Sequence, residues 1–214
     1  MTRQRALDYD NISRDIGDSL SMELFALLKS WGVKARINNR VKDVELMSIS
    51  GHGTTFCIIE IEEGPIRWIS IQWKAKTKLI RDHLGHILDN SYDRYYYVAC
   101  SIEYGIPDQR LTTHLVGELM AQLRIQLGRI RILPIVGKII SVRWKGNDVG
   151  MGIITWLNQD ISLKKSLVTS PELEITAQYY DSRWIMSVKA SHLPSQKLWD
   201  CYQSIARHLL AKWL

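Results

Sequence analysis

Alternating and helical runs of apolar residues divide the chain into two similar series of elements. Leucines at three- and four-residue spacing predict a first helix from Ser19 to Trp31. The next elements are three strands joined by short Gly- and Pro-rich turns, at Val44 to Ser50, Thr54 to Glu62 and Ile66 to Lys74. Connections this short favour an antiparallel meander. A helix from Lys76 to Leu88 and a strand from Arg94 to Tyr104 complete an αβββαβ order.

The second series begins with leucines at strict four-residue spacing, which predict a helix from Leu111 to Leu127. The elements predicted after it are strands at Arg129 to Leu133, Lys138 to Lys145 and Val149 to Trp156, a helix at Asn158 to Leu167, strands at Glu172 to Tyr180 and Trp184 to Ala190, and a helix at Ser195 to Trp213. Runs of strands between helices, rather than strict alternation, predict the α+β class with antiparallel meander sheets.

The two series predict two tandem αβββαβ(β)α-like halves, residues 1–105 and 106–214, that pack as one body. Their boundary is placed at Gly105 to Asp108, where both periodicities are interrupted, and no long flexible linker separates them. The element order from Leu111 to Leu214 resembles the type III secretion chaperone-like fold. This resemblance implies binding of protein segments rather than catalysis, and it implies that the two halves act as a fused pseudo-dimer.

Charge is unevenly distributed between these halves. The chain has 214 residues, of which 46% are hydrophobic and 23% charged, and this composition excludes a collagen-like or wholly disordered protein. Residues 1–105 contain 14 basic and 14 acidic residues, whereas residues 106–214 contain 14 basic and 8 acidic residues. The second half therefore supplies the whole formal net charge of +6. It also contains a stretch without acidic residues, between Glu118 and Asp148.

Four cations of this acid-free stretch have the spacing of strand faces, and they are Arg129, Arg131, Arg143 and Lys145. Residues two apart share a face of a strand, so the first two form one pair and the last two another. If the two faces coincide, they form a basic sheet surface flanked by Trp144 and Trp156. Such a surface suits an anionic partner, either nucleic acid or an acidic protein segment. The alternative is that the cations solvate the outer face of a half-buried sheet.

Aromatic residues are a second candidate for partner recognition. Eight tryptophans against two phenylalanines is an unusual ratio. Core packing explains it, and so do aromatic platforms for bases or for a partner interface. Trp213 at the end of the last helix is the one most exposed to a partner chain, since chain ends are seldom buried. A structural subunit of a larger complex is therefore a third hypothesis.

The first half carries one enzymatic alternative, because its αβββαβ order resembles the core of the PD-(D/E)xK nucleases. That core places an acid on its second strand and an acid-x-Lys pair on its third, where they bind a divalent metal. Here the corresponding residues are Glu60, Glu62, Gln72 and Lys74. The amide of Gln72 replaces a carboxylate, which weakens a site for hard divalent ions. The polar ends of a meander explain the same four residues without catalysis.

No other motif indicates catalysis, a metal or a cofactor. His83 and His86 lie on adjacent helical turns, but a zinc site needs three or four converging ligands. Neither a Gly-x-Ser-x-Gly elbow nor a phosphate-binding loop occurs. We therefore expect no cofactor and no metal. Our main hypothesis is a non-enzymatic binding or adaptor protein that holds an anionic partner through the basic surface and aromatic side chains.

The cysteines indicate a reducing compartment. Cys57, Cys100 and Cys201 are odd in number, widely separated and surrounded by apolar residues, unlike a disulfide framework. The first residues do not read as a signal peptide, and no run approaches the roughly 18 apolar residues of a membrane span. We expect a cytoplasmic protein with no membrane span.

Overall fold

A computed structural model describes most of the chain. The described residues are 20–38, 45–48, 51–77, 95–112, 118–119, 121–131, 139–170, 172–178, 181–189 and 193–211. Within them, the backbone alone is described for 45–48, 51–57, 73–77, 95–100 and 112. His83 and His86, which are not predicted to form a metal site, lie outside the described residues, as does Trp213.

The described residues form one antiparallel sheet of nine strands. The strands are β1 (Ala35–Asn38), β2 (Glu45–Ser48), β3 (Gly51–Ile61), β4 (Trp68–Thr77), β5 (Tyr95–Pro107), β6 (Arg124–Arg131), β7 (Ile139–Asn147), β8 (Leu173–Gln178) and β9 (Arg183–Lys189). Their order across the sheet is β1-β3-β4-β5-β9-β8-β6-β7, and β2 also pairs with β3. The helices are α1 (residues 20–30), α2 (Ile153–Gln159), α3 (Ile161–Leu167) and α4 (Gln196–Ala211), with a 3-10 turn at Gln109–Thr112.

Every described strand pairing is antiparallel, which confirms the predicted α+β class. Strands β2 to β5 pair in chain order, as the predicted meander requires. Strand β5 then pairs with β9, from Ser101 opposite Lys189 to Pro107 opposite Arg183. Strands of both series therefore belong to one continuous sheet.

One face of this sheet is apolar and packs against the helices. Alternate strand residues are buried there, among them Ile59, Ile69, Ile102, Met186, Ile175, Ile125 and Trp144. Buried side chains from all four helices join the same cluster. In α4, for example, the rings of Trp199 and Tyr202 lie 6.3 and 5.0 Å from the ring of Tyr104 in β5.

The other face, which we call the open face because it is polar and partly exposed, carries the alternate polar residues, although Ser70 and Gln72 on it are buried. Paired positions across the sheet place on it Glu60, Ser70, Glu103, Ser187, Glu174, Gln126 and Lys145. Opposite residues of an antiparallel pair share a face, so this set follows from the register alone. The period-two pattern of the sequence thus separates an apolar face from a polar one.

The predicted helix from Leu111 to Leu127 is confirmed at Glu118 and Leu119 and wrong at its described ends. A 3-10 turn occupies Gln109–Thr112, and β6 begins at Arg124. Leucines four residues apart share a face of a helix, but they also share a face of a strand. Leu123 and Leu127 are buried with Ile125 between them, at the period of two that defines a strand.

The predicted strand from Val149 to Trp156 is also wrong, because α2 begins at Ile153 within it. The side chain of Asp148 accepts a hydrogen bond from the N–H of Ile154 at 3.0 Å, which satisfies a group in the first turn. Ile153 and Leu157 are then buried four residues apart on one helix face. Local hydrogen bonding and burial together favour the helix.

Asp108, at the predicted boundary between the halves, links elements from both. β5 continues without interruption to Pro107. The buried Asp108 carboxylate accepts hydrogen bonds from Trp184 Nε1 at 3.0 Å and from Arg110 Nε at 2.7 Å. Arg110 also donates to the carbonyl oxygen of Leu210 in α4, at 2.8 Å.

Candidate binding groove between strands β6 and β8

A groove opens where β6 separates from β8. The two strands pair only from Arg124 to Gln126, opposite Thr176 to Glu174, whereas β6 remains paired with β7 as far as Arg131. The groove has a volume of about 490 Å³. Its lining residues are Ser101, Gln126, Leu127, Gly128, Arg129, Arg131, Lys145, Glu172, Leu173, Glu174, Ser187 and Lys189.

The route of the chain into β8 explains why the two strands separate. Residues 168–172 lead from α3, in the helix layer, to β8 in the sheet. Arg129 holds this connection, because its guanidinium donates a hydrogen bond to the carbonyl oxygen of Ser170 at 2.9 Å. Side-chain bridging therefore replaces direct strand pairing at the open end of the groove, and the Gln126–Glu174 pair closes the other end.

The backbone groups that face the groove follow from the contact between Trp144 and Asn158. Alternate residues of an antiparallel strand direct both N–H and C=O to the same side. Trp144 directs both groups away from β6, since they bond to the side chain of Asn158. Leu127 pairs with Trp144, so Leu127 directs its own groups away from β7 and toward β8. Arg129 lies two residues further along β6, so its N–H and C=O also point away from β7.

The last contact between β8 and β6 lies at Leu173. The carbonyl oxygen of Glu172 accepts a hydrogen bond from Lys189 in β9 at 3.2 Å, so Glu172 faces β9. The next residue, Leu173, consequently directs its N–H and C=O toward β6. The pairing of Gln126 with Glu174 places the N–H of Leu127 against the carbonyl oxygen of Leu173. The groove therefore begins beyond this bond, where Arg129 directs its main-chain groups away from β7.

Cationic side chains dominate the charge of the groove. Its lining contains Arg129, Arg131, Lys145 and Lys189. The stem of Lys145 lies over Gly128, since a Cβ at position 128 would be 3.5 Å from Lys145 Cε. Lys145 and the neighbouring Arg143 are exposed, and neither has an ion-pair partner among the described residues.

The two carboxylates in the lining are already neutralised by neighbours. Glu172 forms an ion pair with Lys189 at 2.5 Å, and the hydrogen bond from Lys189 holds the pKa of Glu172 below its ordinary value. Glu174 forms an ion pair with Arg124 at 2.6 Å and accepts a hydrogen bond from Gln126 at 3.1 Å. These acids therefore offset little of the charge of the other lining cations.

The four predicted basic residues lie around this groove, although the two pairs occupy opposite faces of the sheet. Arg143 is opposite Gly128 and Lys145 is opposite Gln126, on the open face. Arg129 is opposite the buried Val142, on the helix-covered face. Arg129, Arg131 and Lys145 all line the groove, because its edge is reached from both faces.

The tryptophans predicted to flank the basic surface are not on it. Trp144 is 1% exposed in the core, and Trp156 stacks on His208 with ring centroids 3.4 Å apart. The half-buried Trp68 lies on the open face, and the guanidinium of Arg183 is 4.9 Å from its ring centroid. Trp68 also covers Gly105, where a Cβ would overlap its ring.

Lys189 is a member of this site that no sequence pattern indicates. It comes from β9, which reaches the groove only because β9 lies between β5 and β8 in the sheet. No local pattern encodes that order. The stretch without acidic residues is the sequence feature that points to this site, and it identifies only the cations of β6 and β7.

The predicted nuclease residues are far apart where they are described. Glu60 lies opposite Trp68 in β4, and Gln72 is four positions further along the same strand. At roughly 3.3 Å per residue, this separation is about 13 Å along the strand. Glu62 lies further still from Gln72. Lys74 is opposite Gly53 in the backbone register, and its side chain is outside the described part.

Glu60 and Gln72 are each engaged by other residues. Glu60 accepts hydrogen bonds from Asn38 at 2.7 Å and from Arg36 at 2.5 Å, and these bonds lower its pKa. Gln72 donates to Ser70 at 3.1 Å and to Glu103 at 3.2 Å. Among the described residues, no group of three or more His, Cys, Asp or Glu side chains is arranged to hold a metal ion.

The remaining predicted features are described only in part. Cys201 is a buried free thiol, and burial raises its pKa. The side chains of Cys57 and Cys100 are not described. No helix in the described ranges is long and apolar enough to cross a membrane. Comparisons with protein-family models, curated proteins and solved structures find no match for this chain.

Proposed function

We propose that the protein is a non-enzymatic binding protein that holds an anionic partner in the groove between β6 and β8. The observation that carries this proposal is the charge of the groove lining. Four cations line it, while both of its carboxylates are already engaged in ion pairs. An anion entering the groove gains the field of Lys145 and its neighbour Arg143 without breaking an existing ion pair of either residue.

The physical form of the groove strengthens the attraction. A concave site with low-dielectric walls concentrates the electric field of its charges. Salt also screens these charges less than it screens charges on a flat surface. Leu127 and Leu173 supply such apolar walls, since they are 6% and 2% exposed. Binding still depends on ionic strength, because Arg143 and Lys145 remain in contact with solvent.

The metal-dependent nuclease has less support. A shared metal site needs its ligands to converge within a few ångströms, whereas the register separates Glu60 from Gln72 by about 13 Å along the strand. Both side chains also have partners that account for their polarity. We therefore base the proposal on binding rather than on catalysis.

Two finer expectations accompany the proposal. The chain acts as an adaptor in the cytoplasm, for which the buried free thiol of Cys201 is consistent support. Residues 1–105 and 106–214 are two tandem halves, joined by the pairing of β5 with β9. The resemblance of the second half to the type III secretion chaperone-like fold is weakened, because a helix begins at Ile153 where the resemblance needs a strand.

Charge reversal beside the groove tests the proposed function. The double variant Arg143→Glu, Lys145→Glu is compared with Lys165→Glu, Lys197→Glu, which makes the same change of net charge at exposed positions of α3 and α4. Binding of fluorescein-labelled single-stranded DNA, RNA and a glutamate-rich peptide is followed by anisotropy at low and high salt. We expect the first variant to lose about tenfold or more in affinity for the bound probe, and the second to stay within about twofold.

Two results would count against the proposal. If both double variants lose affinity equally, binding reflects net charge and not the groove. If the unaltered protein binds none of the anionic probes at low salt, the groove does not hold anionic macromolecules. Circular dichroism of each variant verifies that it is folded.

A further inference from the structure

One carboxylate of the protein already lies at a cation of the groove. Glu172 and Lys189 both line the groove, and their side chains form an ion pair at 2.5 Å. The hydrogen bond from Lys189 holds the pKa of Glu172 below its ordinary value, and the charge of Arg129 acts in the same direction. Two cations of the lining therefore attract this one carboxylate. Glu172 occupies the position that an acidic group of a ligand would take.

The second carboxylate of the lining has a different kind of partner. Glu174 forms its ion pair with Arg124, which does not line the groove. Of the two carboxylates in the described lining, Glu172 alone neutralises a cation of the lining in an ion pair. The protein thus holds an internal counter-ion within the groove, and it holds this group at Lys189.

The ion pair between Glu172 and Lys189 is open to exchange. The two side chains are 58% and 60% exposed, and ion pairs this exposed add little to stability. When the carboxylate of a ligand replaces that of Glu172, the charge interaction of Lys189 is conserved. The released Glu172 side chain remains in contact with water. Competition from Glu172 consequently weakens the binding of an acidic group at Lys189 without preventing it.

A second place for an acidic group of the ligand lies on β7. Arg143 and Lys145 are exposed, and the stem of Lys145 lies over Gly128 in β6. β7 and β9 are three strand spacings apart in the sheet, which is about 14 Å. About five residues of extended polypeptide span this distance. Separate acidic residues of one segment therefore suit Lys189 and the cations of β7.

The lining favours a polypeptide over a nucleic acid. None of its described residues is aromatic, whereas proteins that bind single-stranded nucleic acid stack the bases on aromatic rings. Ser101, Ser187 and Gln126 instead supply hydroxyl and amide groups that both donate and accept hydrogen bonds, as peptide groups do. The contact of Glu172 with Lys189 also shows that the site accepts the carboxylate of an amino-acid side chain.

We infer that Lys189 is a carboxylate subsite of the groove, which Glu172 fills in the free protein and an acidic residue of a bound polypeptide fills in the complex. This inference rests on the proposed function. Other acidic residues of the same segment contact Arg143 and Lys145 on β7. Glu172 thereby lowers the affinity for every acidic segment, and it selects segments with several acidic residues over those with one.

Glu172→Gln tests this inference, because it removes the competing charge and retains the shape of the side chain. Binding of the fluorescein-labelled glutamate-rich peptide is followed by anisotropy. We expect the variant to bind this peptide about fivefold more tightly than the unaltered protein. The control is Glu63→Gln, which makes the same change in net charge at a similarly exposed ion pair with Lys34, in the turn after β3. The control should stay within about twofold of the unaltered protein.

Two further variants separate the release of Lys189 from a general loss of negative charge. Glu174→Gln removes a carboxylate from the same lining but releases Arg124, so its gain in affinity should be smaller. When Lys189→Met is also present, Glu172→Gln should bring no greater gain than Glu174→Gln does, because the ammonium of the subsite is gone. Equal gains from the two Glu→Gln variants in the otherwise unaltered protein would overturn the inference and leave the proposed function standing.

The class of probe that binds also decides the outcome. If the protein binds single-stranded DNA or RNA but not the peptide, the groove holds an anionic partner of the other class and the inference is overturned. If it binds no anionic probe at all, the proposed function fails together with the inference. Tighter binding of the peptide by Glu172→Gln, confined to proteins that retain Lys189, supports the subsite.

Discussion

The side chain of Asn158 in α2 takes the place of a neighbouring strand for Trp144 in β7. Asn158 Oδ1 accepts a hydrogen bond from the N–H of Trp144 at 2.9 Å, and its Nδ2 donates to the carbonyl oxygen of Trp144 at 3.0 Å. β7 is the last strand in the order of the sheet, so these groups would otherwise be open to pairing with another chain. The same contact fixes the alternation that directs the main-chain groups of Leu127 toward β8.

Removing this amide should destabilise the protein and expose the strand edge. Asn158→Ala deletes two hydrogen bonds to backbone groups, and we expect it to cost about 1–3 kcal/mol in the free energy of unfolding by urea. We also expect more self-association, measured by light scattering. The control is Gln159→Ala at the exposed end of the same helix, which should cost less than about 0.5 kcal/mol. Equal stability of the two variants would contradict this role for Asn158.

Asp108 should contribute more to stability than a surface ion pair. Its carboxylate is 2% exposed and accepts hydrogen bonds from Arg110 and from the buried indole of Trp184. Asp108→Ala removes the carboxylate that accepts these hydrogen bonds, and we expect a loss of about 3 kcal/mol in calorimetry. Asp181→Ala breaks the more exposed pair with Arg183 and should cost about 0–1 kcal/mol.

Asp108 should also influence how the free energy of unfolding decreases at acidic pH. Burial alone raises its pKa, but the hydrogen bonds from Arg110 and Trp184 outweigh burial and hold the pKa below its ordinary value of 3.8. A lowered folded pKa gives stability that is present above the unfolded pKa and is lost as pH falls through the folded one. Asp108→Asn should flatten this acid limb. An unchanged slope would mean that the carboxylate is not stabilised by folding.

Glu103 should have the opposite effect on stability. Burial raises its pKa above the ordinary value of 4.5, although Arg183 and the hydrogen bond from Gln72 act against the shift. A raised folded pKa means that stability is complete below the unfolded pKa and falls as pH rises through the folded one. Glu103→Gln should therefore be more stable than the unaltered protein at neutral pH, with an advantage that disappears at about pH 4. Urea denaturation across this range measures the difference. A variant less stable at neutral pH would contradict burial as the dominant influence on this carboxyl group.

Period-two patterning accounts for what the sequence predicts correctly about the fold. Apolar residues alternate with polar ones at Ile69, Ile71 and Trp73, and this pattern places β4 without reference to the rest of the chain. Spacing of four is less informative. Leu123 and Leu127 share a face of a helix and a face of a strand equally well, so the sequence alone does not distinguish the two. Burial against the helix layer decides between them.

Only those residues of the candidate site that lie close together in the sequence could be predicted. The acid-free stretch identifies Arg129 and Lys145 from the sequence, because charge is a property of individual residues. Whether they share a face depends on the register of β6 with β7, which pairs Lys145 with Gln126 and Arg129 with Val142. The groove itself depends on a separation of β6 from β8 and on Lys189 from β9. These are long-range relationships that no window of sequence contains.

The most direct test of the central claim is a titration followed by amide chemical shifts. The protein labelled with nitrogen-15 is titrated with the glutamate-rich peptide and, separately, with single-stranded DNA. Binding in the groove predicts the largest shifts at the amides of Gly128, Arg129 and Lys145, which line the groove. Largest shifts at residues of α1 or β1, or no shifts at any concentration of either probe, would contradict the assignment of this groove as the binding site.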